Sequence, residues 1–337
     1  MRNIYDLTIK ELEDYFISIN EKKFRAVQVY EALYKRRIKS FDDMTNISKE
    51  VREKLKQVFS FYKIKMLIKQ QGKNVNKYLF ELEDGNKIES VLMFHDYGTS
   101  ICVSSQVGCN MTCAFCESGR LKKVRNLLAY EIVQQILQIE EDINKRITHV
   151  VLMGIGEPFD NYDNVLRFVK IINCGQGIDI GSRHITISTC GVIPGIKKFM
   201  NEEGQVNLAI SLHAPNDTLR SRIMPINKAY PLNELMETIK EYINKTNRRV
   251  TFEYIMLDNV NDSEENAKEL ALLLKGINCY VNLIPYNETE NIEFKRTKEW
   301  KIMKFYDILK KNKINVTIRK EFGGSVDAAC GQLRANN

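Results

Sequence analysis

From Ile101 onward the chain repeats one rhythm, and that rhythm limits its fold more than any other feature. A short apolar run is followed by a longer stretch with helical spacing. The runs lie near 101–104, 148–153, 184–188, 206–212, 250–256 and 279–284, and the helical stretches near 129–142, 162–173, 194–201, 232–245, 263–275 and 298–312. Short apolar runs suit strands buried on both faces, and the amphipathic stretches between them suit the helices that cover such strands. Parallel neighbours need a crossover connection, so the alternation predicts a parallel α/β sheet. Its units are too few to close an eight-fold barrel, and the expected core is an open or partial (β/α)6 barrel. Thr317-Ile318-Arg319 reads as one last strand. In such folds the binding residues gather at the carboxyl ends of the strands.

The short motifs of the sequence fall at those ends. After the first strand comes Cys109-Asn110-Met111-Thr112-Cys113-Ala114-Phe115-Cys116, with the spacing C-x3-C-x2-C. Three thiolates on one short loop suit a soft metal centre. They could hold an iron–sulfur cluster with one iron left open, or a zinc ion completed by a distant fourth ligand, or they could be plain buried thiols. Gly108 and Ala114 would let the loop wrap tightly. Gly154-Ile155-Gly156-Glu157-Pro158 follows the second strand, Ser188-Thr189-Cys190-Gly191 ends the third, Ser211-Leu212-His213-Ala214-Pro215 the fourth and Pro285-Tyr286-Asn287 the sixth. Singly these are weak signals: Gly154-x-Gly156 could be only a tight turn, and His213 a hydrogen-bonded core histidine. Together they describe a pocket in which Glu157 could take an ammonium, while Ser188, Ser211 and Asn287 could orient ribose or carboxylate oxygens.

Ahead of the barrel, Thr8-Ile9-Lys10-Glu11 fits a capping box opening a helix to about Ile19. Further helical patterns run from about Phe24 to Ile38 and from Ser48 to Phe59. Residues 62–97 alternate as β structure, with Tyr78–Leu82, the turn Glu83-Asp84-Gly85-Asn86, and Ile88–Met93 as a hairpin. The expected organisation is a helical accessory domain over 1–60, a hairpin extension over 61–97, and the barrel with its tail over 98–337. Of a formal charge of +7, +6 lies in residues 1–70, where 16 Lys/Arg face 10 Asp/Glu. Lys35-Arg36-Arg37-Ile38-Lys39 is the densest point. That tract reads as a solvated helix face or as a phosphate-binding patch for nucleic acid. No apolar run has transmembrane length and no leader pattern opens the chain, which predicts a cytoplasmic protein without a membrane partner. The eight cysteines are not spaced as a disulfide framework, and a reducing compartment also suits a cluster. Near the end, Ala328, Ala329 and Gly331 flank Cys330 with small residues, so its thiol is uncrowded.

The trio with Phe115 before its last cysteine resembles the radical-SAM superfamily. The motifs S-S-Q-V-G-C-N-x-x-C-x-F-C, M-G-x-G-E-P, S-L-H-A-P-N-D, M-P-I-N, E-Y-I-M-L-x-x-V-N-D, V-N-L-I-P-Y-N and D-A-A-C-G-Q-L resemble the RlmN/Cfr family across nearly the whole chain. The resemblance implies a radical-SAM methyltransferase acting on an adenosine of 23S ribosomal RNA, and it leaves transfer RNA open as a further substrate. It implies a 4Fe–4S cluster on Cys109, Cys113 and Cys116. It also implies S-adenosylmethionine contacts at Gly156, Glu157, Ser188, Ser211, Leu212, His213 and Asn287. Cys330 matches the cysteine that is methylated by one S-adenosylmethionine and then loses hydrogen to a radical made from a second. Cys102 matches the thiol that resolves the protein–RNA crosslink through a disulfide. Glu89 matches a proton acceptor, although by its residue type alone it would be an ordinary exposed strand carboxylate. Methylation at C2 is the expected branch, with C8 methylation and a zinc-stabilised RNA-binding protein as competitors. An external donor such as flavodoxin or ferredoxin and a monomeric state complete the expectation. Cys174, Cys190 and Cys279 match no role and read as packing residues.

Overall fold

The computed structural model describes residues 1–319 and 331–333. The amino-terminal region holds three helices, α1 (Ile9–Ser18), α2 (Arg25–Tyr34) and α3 (Lys49–Val58). A short parallel ladder between β1 (Arg2–Asn3) and β2 (Phe59–Ser60) joins its two ends. The predicted capping box is present. Glu11 N donates to Thr8 Oγ1 at 3.3 Å, and Thr8 N donates to Glu11 Oε2 at 2.9 Å. The helices share one continuous apolar core with the rest of the chain, through residues such as Phe16, Tyr30 and Leu33.

Next come β3 (Lys65–Gly72), β4 (Val75–Glu81), β5 (Lys87–His95) and β6 (Gly98–Cys102), each antiparallel to the one before. The expected hairpin is β4 and β5, and it is built into the core sheet, since β5 pairs directly with β6. The strand outside it, β3, carries Lys-Met-Leu-Ile-Lys-Gln-Gln-Gly and shows little alternation. The cysteine loop is pinched at its base by β7 (Gln106–Val107) against β8 (Arg125–Asn126). Beyond it lie α4 (Ala129–Ile143), β9 (His149–Leu152), α5 (Tyr162–Asn173), β10 (Ile185–Thr189), α6 (Ile193–Phe199) and β11 (Asn207–Ser211). The chain continues with α7 (Asp217–Ile223), α8 (Leu232–Thr246), β12 (Val250–Met256), α9 (Glu264–Leu273), β13 (Cys279–Pro285), α10 (Glu299–Lys311) and β14 (Val316–Ile318). The main sheet has ten strands in the order β14-β13-β12-β11-β10-β9-β6-β5-β4-β3, parallel from β14 to β6. The predicted α/β partial barrel is therefore present, with an antiparallel extension on one edge.

Register decides what each face of this sheet carries, because strand neighbours directly opposite point the same way. One face carries Ile101, Val150, Ile185, Leu208, Phe252 and Val281, all fully buried or nearly so. This is the apolar face that the helices cover. Through the pairs Val91↔Cys102, Cys102↔Val151, Ser211↔Glu253 and Glu253↔Asn282, the other face gathers Cys102, Ser211, Glu253 and Asn282. Lys77 and Glu89 join it through Lys77↔Val91 and Leu79↔Glu89. The polar chemistry sits on the concave side. Among the described residues, no helix is long and apolar enough to cross a membrane.

Candidate active site on the concave face

The cysteine loop leaves β6 and folds over the carboxyl ends of the parallel strands. Gly108 has φ +74°, and a Cβ there would lie 2.2 Å from the Lys122 carbonyl oxygen, so only glycine lets the two arms of the loop close. Gly156 has φ +108°, and its Cβ would meet the Gln106 side chain at 2.6 Å. Both glycine requirements are backbone requirements, and Gly156 also faces a cavity.

That cavity has about 820 Å³ of empty space. Cys109, Cys113 and Cys116 line it together with Gly156, Glu157, Ser188, Ser211 and His213. Two of the expected contacts lie elsewhere. Leu212 is fully buried in the apolar core, and only its amide turns inward, donating to Glu253 O at 3.1 Å. Asn287 is not part of the lining, and its side-chain amide donates to Pro285 O at 3.4 Å.

Glu157 is anchored by two backbone amides. Phe159 N donates to its Oε1 at 3.0 Å and Cys190 N to its Oε2 at 2.8 Å. Burial pushes its carboxyl up, and these hydrogen bonds oppose the shift. The Cys190 and Thr189 side chains also hydrogen-bond to it, so the carboxylate is held rigidly at the cavity wall, where it could face a cationic ligand. His213 adopts φ +59°. Its Nδ1 accepts from Ile255 N at 3.0 Å, which assigns the ring proton to Nε2. Burial, and then the Arg220 charge, hold its imidazole down to about 3, so the ring is a neutral donor. Phe115 of the cysteine loop meets it edge to face at 4.9 Å.

Burial pushes Cys109 up to about 12, and burial and the neighbouring thiols push Cys113 well above the ordinary thiol range. Such thiols give up their protons only to a compensating metal charge. Among the described residues, no group of three or more His, Cys, Asp or Glu is drawn together to hold a single metal ion. The three thiols instead share the wall of a wider space. An all-sulfur donor set around such a space fits an iron–sulfur cluster.

Several cavity residues were not singled out by the sequence reading. Glu253 lines it, with Oε2 accepting from Asn282 Nδ2 at 2.8 Å, and Arg319 lines it nearby. Cys190 also faces it, rather than only packing. Beneath lies Arg220, fully buried and held by Asn227 of the M-P-I-N motif at 2.8 Å. Glu253 opens the E-Y-I-M-L motif and Cys190 sits in Ser188-Thr189-Cys190-Gly191, but nothing in the local sequence shows that they face one cavity. Register alone aligns Glu253 with Ser211.

A second group lies along the same face. Cys102 packs with Val75, Val91, Met93, Ile155 and Leu333 in a small apolar cluster. Glu89 differs from the exposed carboxylate its residue type suggests: it is 3 % exposed, and Lys77 Nζ lies 3.2 Å from its Oε1. Cys330 lies outside the described residues. The residues after it are docked here. Gly331 lines the cavity, its carbonyl accepts from Glu117 N at 2.8 Å, and Leu333 O accepts from Ser118 Oγ at 2.6 Å.

Fold and cavity together define a radical-SAM enzyme, and residues 103–271 match the Radical SAM superfamily. Residues 2–61 match the ribosomal RNA large subunit methyltransferase N-terminal domain. The chain is 53 % identical to a protein of Spiroplasma citri described as a probable dual-specificity RNA methyltransferase RlmN, over 100 % of this chain and 98 % of that one. A similarly described protein of Geobacillus kaustophilus is 52 % identical over 99 % and 92 %. The crystal structure of a radical SAM methyltransferase from Sphaerobacter thermophilus superposes with a TM-score of 0.94 at 41 % identity, covering 100 % of both chains. The chain belongs to the RlmN family of radical-SAM methyltransferases. It is an enzyme whose family implies S-adenosylmethionine and a 4Fe–4S cluster as cofactors.

Proposed function

We propose that this enzyme methylates C2 of an adenosine in 23S ribosomal RNA, and an adenosine of transfer RNA as well, through a methylated Cys330. One observation carries the reading. Gly331, next to Cys330 in the chain, lines the same cavity as Cys109, Cys113 and Cys116, while Leu333 packs in the cluster that holds Cys102. The descriptions of the relatives as dual-specificity RNA methyltransferases support the two RNA substrates.

Cys109, Cys113 and Cys116 would hold the cluster, and Glu157, Ser188, Ser211 and His213 would orient S-adenosylmethionine against it. When bound and reduced by an external one-electron donor, the cluster supplies an electron that cleaves S-adenosylmethionine to a 5′-deoxyadenosyl radical. Cys330 accepts a methyl group from one S-adenosylmethionine and later loses hydrogen from it to the radical made from a second. The adenine ring carbon is a poor nucleophile, and a carbon radical on the Cys330 methyl bonds it without requiring nucleophilicity. Glu89, paired with Lys77, takes the ring proton. The unpaired electron of the adduct returns to the external one-electron carrier. The Cys102 thiolate then attacks the Cys330 sulfur, the bond from that sulfur to the transferred carbon breaks with its electron pair going to the carbon, and a proton from solvent completes the methyl group as the disulfide forms. To reach this buried face the base has to leave its stack. The amino-terminal helices and their basic tract grip the RNA by shape and phosphates. Arg37 of that tract is engaged with buried Glu140 on α4, whereas Lys35 and Arg36 have exposed partners, Glu31 and the Asn46 side chain, that a phosphate could replace.

The test is anaerobic incubation of enzyme, reductant and methyl-labelled S-adenosylmethionine with 23S RNA or transfer RNA, followed by nucleoside mass spectrometry. Labelled 2-methyladenosine is expected from both RNAs. Labelled 8-methyladenosine would move the enzyme to the other branch, and an unlabelled digest would refute RNA methylation.

A further inference from the structure

Arg220, on α7, is fully buried one layer behind the cysteine loop. Its Nε donates to Leu212 O at 3.2 Å and its Nη1 to Asn227 Oδ1 at 2.8 Å. Nη2 donates to Cys190 O at 2.6 Å and to Ser211 O at 3.3 Å. Every one of these acceptors is a neutral oxygen. Asp217, the acidic residue on the same helix, uses its Oδ1 to accept from Asn227 Nδ2 at 2.7 Å and from Leu232 N at 2.8 Å. A guanidinium keeps its proton in a folded protein. Among the described residues, a full positive charge therefore sits in the interior with no carboxylate hydrogen-bonded to it, Asp217 acting on it only through space. Such a charge is costly unless an opposite charge lies within reach.

The contacts show where that opposite charge would be. Cys190 and Ser211, whose carbonyls hold Nη2, both line the cysteine cavity. Ala114, between Cys113 and Cys116, donates its amide to Ile223 O at 2.9 Å, at the end of the helix that carries Arg220. The helix and the cysteine loop are thus one packed unit. Three thiolates around a 4Fe–4S core carry net negative charge, which grows by one unit on reduction.

We infer that Arg220 is the built-in counter-cation of the cluster, favouring its reduced form and raising its midpoint potential. The inference rests on the proposed ligation by Cys109, Cys113 and Cys116. No bond forms or breaks at Arg220. One electron enters the cluster from an outside donor, and the fixed charge steadies the extra negative charge. Arg220 is a tuning residue, and it does not touch the reacting atoms.

The experiment is an anaerobic redox titration of the cluster-loaded full chain with dithionite, followed by electron paramagnetic resonance. Wild type is compared with Arg220→Met, Arg220→Gln and Arg220→Lys, and iron and sulfide are counted in each. The neutral variants should shift the reduced-to-oxidised ratio at a given poise by about tenfold, the scale of one unit charge several ångströms away in a protein interior. For a one-electron couple that is about 59 mV more negative. Arg220→Lys should stay near wild type. Loss of the cluster from both neutral variants with retention in Arg220→Lys would also support the inference, because only charge is shared. A neutral variant with wild-type potential would overturn it. So would an Arg220→Lys variant that behaves like the neutral ones, since the guanidinium fork would then be only a clamp. Absence of iron and sulfide from wild type would strike the ligation reading instead.

Discussion

The concave face of one sheet carries two different chemistries. At the parallel end, Ser188, Ser211 and Glu253 border a cavity with about 820 Å³ of empty space under the cysteine loop. At the antiparallel end, Cys102 and the Lys77–Glu89 pair lie among Val75, Val91, Met93 and Leu333, closely packed. Strand direction accounts for the difference. Parallel strands send their connecting loops out at one edge, where a cofactor can be admitted. The antiparallel strands β4 and β5 turn back tightly and, among the described residues, set a thiol and an ion pair beside apolar neighbours. The comparison teaches that an open, polar region and a closely packed, apolar one can share one continuous surface, with Met153 in contact with both groups.

The largest effect should come from breaking either end outright. Cys109→Ala, Cys113→Ala or Cys116→Ala should lose the cluster and all methylation, read by iron content and nucleoside mass spectrometry. Full iron and activity in any of them would remove that end from the comparison. Cys330→Ala should lose methylation before any RNA adduct forms. Cys102→Ala should still methylate Cys330 and then stall as a protein–RNA adduct that survives denaturation. Normal turnover of Cys102→Ala would show that the packed end is only structural.

Glu89→Gln asks whether the antiparallel end does acid–base work. Methylation should fall by about 10²–10⁴, the usual range for a lost general base, while cleavage of S-adenosylmethionine continues. A parallel fall in cleavage would place Glu89 in support of the other end.

A smaller effect is expected from pH at the parallel end. The unfolded chain takes up a proton on His213 near 6.5, whereas the folded chain resists until about 3. Below 6.5 the unfolded state therefore binds more protons, and stability falls as pH falls. Denaturant unfolding between pH 6.5 and 5 should show about 1–2 kcal/mol of loss that His213→Gln lacks. Equal slopes in the two proteins would mean that the ring is not held neutral.

The smallest effect concerns neither end of the sheet. Replacing Lys35, Arg36, Arg37 and Lys39 by Ala should flatten the salt dependence of RNA binding by about 0.7–0.9 of a slope unit per lost phosphate contact. Arg37 is held by buried Glu140, so the change should come mainly from the other three, since the partners of Lys35 and Arg36 are exposed. An unchanged slope would return the tract to a solvated face.

The parallel end was far more legible in the sequence than the antiparallel end. Apolar runs and helical spacing mark β9 to β13 and their helices, and glycines, cysteines and serines mark the strand ends. β3 fell within the β alternation read over 62–97 but was not set apart as a strand, because an edge strand rich in Lys and Gln has no face to bury. Lys77 and Glu89 are unremarkable apart, and only the register of β4 against β5 brings them together. Arg220 is a similar case, since one arginine on a short helix gives no sign that four interior oxygens await it. Leu212 and Asn287 stand inside persuasive motifs, yet both turn away from the cavity, because neighbours along a chain need not face the same way.

The hydrogen bond from Ser118 Oγ to Leu333 O joins residues 215 positions apart. At roughly 5–20 residues per second, a ribosome needs about 10–40 s to travel from one to the other. Throughout that interval the cysteine loop exists as nascent chain while the segment that will close over it has not been made. The order of synthesis thus exposes the loop first and lets Leu333 dock beside it only afterwards.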